Sequence, residues 1–115
     1  MGGHQLVKKL LFICSRNQWR SPTAENIWRR RDGFEARSAG TSPRARKTVS
    51  VQDVDWADMI FVMEDKHKSR LKAAFGRALQ YKPLYVLDIP DIYQYMDGEL
   101  VAELEQSVTA IVEGM

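Results

Sequence analysis

Cysteine occurs once in this 115-residue sequence, at position 14. A disulfide framework is therefore excluded, and a single thiol fits a reducing compartment, so a cytoplasmic location is expected. Histidine occurs twice, as His4 and His67. One cysteine and two distant histidines lack the ligand spacing of a metal cluster, and neither a metal nor another cofactor is expected. Long apolar runs are missing too. The longest, Leu10 to Cys14 and Met59 to Met63, hold five residues each. That is far short of a membrane span or a signal-peptide core, even with Lys8-Lys9 ahead of the first run. Ile13 is not the small residue that a lipoprotein cleavage site needs before its cysteine, and Leu6 is not the hydroxyl residue of a myristoylation signal. No membrane contact is expected. Residues 1–6 read as a flexible N-terminal tail ahead of one domain over residues 7–115.

Charge of one sign is scarce overall but not locally. The net charge is +2, yet residues 1–50 hold 11 Lys/Arg against 3 Asp/Glu, a balance of +8, and residues 51–115 hold 6 against 12, a balance of −6. Cys14 lies in the basic half, where a positive field would attract phosphorylated substrates. The overall balance is too even to favour nucleic-acid binding. Arg29-Arg30-Arg31 reads as solvated charge suited to a helix C-terminus. Length and apolar content suit one globular domain with its own core.

The pattern along the chain alternates strand and helix. Val7 to Ile13 reads as a buried strand. Ser21 is a good N-cap with Pro22 at the first helical position, Ala24, Ile27 and Trp28 form an apolar face, and Asp32-Gly33 ends the helix. Phe34 to Ser38 is a second strand. Ser50 with Asp53 caps a brief helix through Trp56. Met59 to Met63 is a fully apolar third strand, as in a parallel sheet covered on both faces. A charged helix runs from Glu64 to Phe75 with Gly76 as its stop. Leu84 to Leu87 is the fourth strand, Asp88 to Gln94 a loop, and Asp97 caps a final helix carrying Leu100, Leu104 and Val108. This predicts a single three-layer α/β domain, a four-stranded parallel sheet flanked by helices. Ligands in such sheets sit at the carboxyl ends of strands, so the Cys14 loop and the aspartate loop can meet at one edge.

Between the first strand and first helix lies Cys14-Ser15-Arg16-Asn17-Gln18-Trp19-Arg20-Ser21, a C-x5-R spacing. A strand, a tight loop and a helix N-terminus direct backbone N–H groups at one spot, where the helix dipole favours an anion. A thiolate there is a nucleophile, and the helix end and Arg20 favour that charged form. The planar guanidinium of Arg20 suits two phosphate oxygens. Asn17 tolerates the left-handed conformation such a loop needs, and the Ser21 hydroxyl is placed to stabilise the thiolate. The competing reading of Cys14 is a small buried apolar residue, which leaves the surrounding strand–loop–helix grammar unexplained.

With these pieces in view, the sequence resembles the low-molecular-weight protein tyrosine phosphatase family. The resemblance rests on Phe12-Ile13-Cys14, Asn17, Arg20-Ser21-Pro22-Thr23-Ala24-Glu25, Ser38-Ala39-Gly40-Thr41, Asp58 to Met63 and Pro90-Asp91-Ile92-Tyr93, and it covers the chain from about Lys8 onward. It implies Cys14 as nucleophile, Arg20 as phosphate ligand and Asp91 as general acid, with Asp88 the alternative acid. It implies a phosphate-binding loop of Ser15, Arg16, Asn17, Gln18, Trp19 and Ser21, open to phosphate, sulfate or vanadate. Departures are visible. Ile92 stands where the family has proline, Arg16 where it has a small residue, and Trp19 where it often has a second cysteine, so its protective disulfide is impossible. The Thr41–Asp58 segment, which usually supplies an aromatic wall, is short. Trp19 and Tyr93 are candidate replacements, and Arg44, Arg46 and Lys47 either meet a second anionic group or face water.

The implied activity is hydrolysis of phosphomonoesters through a thiophosphate intermediate, with protein phosphotyrosine as the family default. The alternatives are a phosphatase for a small or nucleotide-like phosphate, or a non-catalytic phosphate-binding regulatory module. An arsenate-reductase relay would require further cysteines.

Overall fold

The computed structural model describes residues 7–114; the N-terminal tail expected over residues 1–6 lies outside them. The elements run β1 (Lys8–Cys14), α1 (Arg20–Trp28), β2 (Phe34–Gly40), α2 (Val51–Trp56), β3 (Met59–Val62), α3 (Asp65–Leu79), β4 (Leu84–Val86) and α4 (Gly98–Glu113). The four strands form one parallel sheet in the order β2-β1-β3-β4. Register places Cys14 opposite Gly40 and Ile13 opposite Val62. After β1 the chain crosses one way to β2, then returns past β1 to β3. The carboxyl end of β1 is therefore the switch point of the sheet, where flanking loops diverge and leave a crevice.

Side chains alternate across the pleat. Leu10, Phe12, Cys14 and Phe61 face α1 and α4, packing with Trp28, Leu100, Leu104 and Val108. Leu11, Ile13, Ile60 and Val62 face α2 and α3, packing with Val54, Leu71 and Leu79. Both faces are covered, which is why β1 and β3 are apolar at successive positions rather than at every second one. Phe12 is fully buried between the rings of Trp28 (5.8 Å) and Phe61 (5.3 Å); burying a side chain of that size contributes about 2–3 kcal/mol. Among the described residues no helix is long and apolar enough to cross a membrane.

Several element ends differ from the sequence expectation. Helix α1 starts at Arg20 with Trp19 as N-cap residue, not at Ser21. Pro22 then sits at the third helical position, where its missing N–H is still one of the four that lack a partner. The helix ends at Trp28, before the arginine run. A turn through Gly33 at φ +89° follows. Strand β2 extends to Gly40 because Cys14 pairs with it. Helix α3 does not stop at Gly76: it kinks at Phe75 (φ −132°, ψ 32°) and resumes to the buried Leu79. The Ser50–Asp53 capping box and the Asp97 cap are present as expected.

Candidate active site

All four carboxyl-end loops converge at the switch point. The loop after β1 runs from Cys14 into α1. Asn17 takes φ +54°, the left-handed conformation that turns the chain. Among the described residues, no acceptor pairs with the backbone N–H groups of Ser15, Arg16, Asn17, Gln18 or Trp19. These donors, together with the positive end of α1, form an anion cradle. The loop after β2 backs it: Thr41 N–H donates to Cys14 C=O (3.0 Å), Ser42 N–H to Ser15 C=O (3.0 Å) and Arg46 N–H to Arg16 C=O (3.0 Å). Arg46 Nε also donates to Asn17 C=O (3.0 Å). Those bonds use the loop carbonyls from behind and leave the N–H groups facing the crevice.

Cys14 is 3% exposed, and its Sγ lies 3.0 Å from Ser21 Oγ. A chain of hydrogen bonds fixes that serine. Ser38 Oγ donates to Glu25 Oε1 (2.5 Å), which leaves it as acceptor for Asn17 Nδ2 (2.8 Å). The second Asn17 amide proton goes to Ser21 Oγ (3.0 Å). Ser21 is thus occupied as an acceptor, and its own proton is directed at Sγ or at the more distant Ala39 C=O (3.4 Å). A thiolate draws it to sulfur, because a charged acceptor makes the stronger bond.

Arg20 is 2% exposed. One terminal nitrogen donates to Glu64 Oε1 (2.6 Å) and to Ile89 C=O (2.7 Å). Its Nε lies 3.6 Å from Asp91 Oδ1. A buried guanidinium needs this compensation, and the same contacts fix the plane of its fork. The Arg20 hydrogen bond holds the Glu64 carboxyl below its usual range. His67, fully buried, is pushed down to about 4 by burial and then by the Arg20 charge. It is therefore neutral near pH 7. Glu64 N–H donates to Nδ1 (3.0 Å), so the ring proton sits on Nε2 and is donated to Ser15 Oγ (2.9 Å). The Ser15 hydroxyl proton is left free to turn toward a bound anion.

Cys14, Ser15, Arg16, Gln18, Trp19, Arg20 and Asp91 line one small cleft of about 30 Å³. Thiol, cation and carboxyl group thus meet although Cys14 and Asp91 lie on different strands' loops. The fold matches solved structures. SP-PTP, a low molecular weight protein tyrosine phosphatase from Streptococcus pyogenes, aligns over 95% of this chain and 93% of its own, with a TM-score of 0.77 and 19% identity. This chain has the low-molecular-weight protein tyrosine phosphatase fold. The tyrosine phosphatase Wzb from Escherichia coli K30, in complex with phosphate, aligns over 96% and 99% (TM-score 0.74, 20% identity). The YwlE arginine phosphatase from Geobacillus stearothermophilus aligns over 93% and 92% (TM-score 0.70, 20% identity). No protein-family model matches the sequence, and no curated protein matches it.

Within this fold the expected site residues divide. Cys14, Ser15, Arg16, Gln18, Trp19, Arg20 and Asp91 come together, with Asn17 and Ser21 buried directly behind. Asp88 does not join them; it is an exposed residue at φ +56° in the segment after β4. Tyr93 packs against the α1/α4 side of the core, and its hydroxyl donates to Glu103 Oε2 (3.2 Å). It does not line the cleft, and neither does Arg44, which is exposed. Tyr95 stands instead beside Trp19 at the mouth, tied by Asn26 Nδ2 to its hydroxyl (2.7 Å). Glu64 and His67 are supporting residues that the motif reading did not single out, and Ser38, named only within a matching segment, is a third. The available signal was Glu64-x-x-His67, polar groups placed immediately after an apolar strand at the sheet's carboxyl edge.

Proposed function

We propose that the protein is a cysteine-dependent phosphomonoesterase acting on phosphotyrosine in proteins. The observation that carries this reading is the shared cleft of Cys14, Arg20 and Asp91 over a loop of unpaired N–H groups at a helix N-terminus. The loop donors and Arg20 hold three phosphoryl oxygens, and the Cys14 thiolate attacks phosphorus opposite the leaving oxygen. The S–P bond forms as the P–O bond breaks, and the Asp91 carboxylic acid gives its proton to the departing oxygen. The Asp91 carboxylate then takes a proton from water. The resulting O–P bond displaces Cys14, which leaves as a thiolate stabilised by the Ser21 hydroxyl, and inorganic phosphate is released.

Trp19, 42% exposed, and Tyr95, 48% exposed, support an aromatic leaving group, because both offer ring faces at the mouth. Phosphoarginine, the substrate class named for YwlE, is less suited. Its leaving guanidine becomes cationic as the P–N bond breaks, and Arg29 and Arg46 border the same mouth. A nucleotide-like phosphate remains the second reading, supported by the same two arginines. A cytoplasmic location belongs to this proposal, since the lone thiol must stay reduced to act.

The test is hydrolysis of para-nitrophenyl phosphate and a phosphotyrosine peptide by wild type, Cys14→Ser, Asp91→Asn and Asp88→Asn. Cys14→Ser is expected to be inactive. Asp91→Asn should lose about 100-fold or more in kcat, and Asp88→Asn should stay near wild type. Wild type no faster than Cys14→Ser would remove the enzyme reading.

A further inference from the structure

The cleft over Cys14, about 30 Å³, has room for a group of a few atoms and not for the rest of a substrate. A second cleft of about 510 Å³ adjoins it and shares Gln18 and Trp19 as walls. Its other side is made by Arg29 at the end of α1, Arg46 from the loop after β2, and Tyr95. Seventeen residues separate the two arginines in sequence, and the fold brings both to one space.

Their charges are uncommitted. Among the described residues, Arg31 pairs with Glu105, Arg37 and Lys47 pair with Asp53, and neither Arg29 nor Arg46 has an ion-pair partner. Arg46 uses only Nε, on Asn17 C=O, so its terminal nitrogens are free while its stem is anchored. Glu25 is the one acid on the lining, and its carboxylate already accepts from Ser38. Two cations, one of them pre-positioned, flank two half-exposed aromatic rings beside the reaction centre. That combination recognises an anion carried on an extended or planar group. A separate, smaller space of about 170 Å³ holds Lys66 and Arg70 but no Trp, Tyr or Phe, and Lys66 lies 3.8 Å from Glu64.

Resting on the phosphatase reading above, we infer that the larger cleft is a second subsite of the same active site. It receives an anionic group on the leaving portion of the substrate between Arg29 and Arg46. Trp19 is the partition between the two compartments. The anion has two chemical sources: an acidic side chain next to a phosphorylated residue, or a further phosphate on a nucleotide.

The experiment measures equilibrium affinity by calorimetry in a Cys14→Ser background with two ligand pairs. One pair is a phosphotyrosine peptide flanked by glutamates against the same peptide flanked by alanines. The other is a nucleoside 3′,5′-bisphosphate against the 5′-monophosphate. In at least one pair the more anionic member should bind about three- to tenfold tighter. Arg29→Gln should cut that advantage to about twofold or less, while Arg29→Lys keeps most of it. Arg30→Gln, on the same turn but off the lining, should leave it intact. An advantage confined to the peptide pair assigns the acidic side chain, and one confined to the nucleotide pair assigns the phosphate. No advantage in either pair, an advantage indifferent to Arg29→Gln, or one lost instead in Arg70→Gln overturns the inference. The phosphatase reading fails on a separate result, wild-type turnover no faster than that of Cys14→Ser, and the affinities remain readable in that case.

Discussion

At the scale of single residues, the site is organised by proton direction. Glu25 orients Ser38, Ser38 orients Asn17, and Asn17 leaves Ser21 with a proton to give to sulfur. The Asn17 side-chain oxygen, buried, has no partner among the described residues, so this side chain is held by its amide donors alone. Ser21→Ala removes the last link without disturbing the cradle's N–H groups. On the proposed mechanism the thiolate then loses a charge-assisted hydrogen bond, and its departure from the thiophosphate slows. We expect kcat to fall about 10- to 100-fold with KM little changed, and rapid-quench kinetics to show accumulation of phosphoenzyme. Equal slowing of both steps would count against this role. Asn17 was legible in the sequence as a left-handed loop residue because its type permits that conformation. Its two partners were not, since Ser38 lies 21 residues away and reaches it only across the β1–β2 pairing.

At the scale of elements, the phosphate loop is shaped from behind by the loop after β2. Gly40 is where the two come closest. A Cβ there would meet Ser15 O at 2.5 Å and Ala45 Cβ at 2.6 Å, and neither is the end of a flexible side chain. Gly40→Ala should therefore push Thr41–Arg46 away from the cradle and break the bonds that hold its carbonyls. The expected cost is about 2–3 kcal/mol in urea unfolding, with a larger proportional loss in kcat/KM than in stability. A stable variant with full activity would show that the backing loop is dispensable. The sequence offered Ser38-Ala39-Gly40-Thr41 as a segment matching the family, but not the reason for its glycine, which is a close approach between two loops. Helix α1 gives the converse case. Ser-Pro predicts Ser21 as N-cap and Pro22 as first helical residue, and the helix instead begins two residues earlier, at Arg20, with the Ser21 hydroxyl engaged by Cys14 and Asn17.

At the scale of the molecule, the uneven charge of the sequence turns out to be internal closure. Among the described residues, the pairs Arg20–Glu64, Arg20–Asp91, Arg31–Glu105, Arg37–Asp53 and Lys47–Asp53 each join a cation of the first half to an anion of the second. Stability should accordingly weaken in acid. His67 is about 4 in the fold against an ordinary 6.5, so the unfolded chain takes up the proton first. Its contribution is complete above about pH 6.5 and is lost as pH falls toward 4, a change of about 3 kcal/mol. Glu64, depressed by its Arg20 hydrogen bond, acts in the same direction at lower pH. Urea midpoints measured between pH 7.5 and 4 should decline for wild type and run flatter for His67→Gln above pH 5. Parallel curves would show that His67 is not the responsible group.

What the sequence by itself determined is whatever depends on neighbours along the chain. Apolar runs without alternation specify strands covered on both faces. Cys14 at the end of one, with Arg20 six residues on, specifies an anion loop at a helix start. Tertiary structure decided whatever depends on the order of strands. Placing β3 beside β1 brings Glu64 and His67 to a loop some fifty residues earlier in the chain. Placing β4 next brings Ile89 and Asp91 to Arg20 and leaves Asp88 exposed. Tyr93 and Tyr95 differ by two residues, and their positions were fixed only by how the loop after β4 packs. One ring is spent on the core and on Glu103, and the other stands at the mouth beside Trp19.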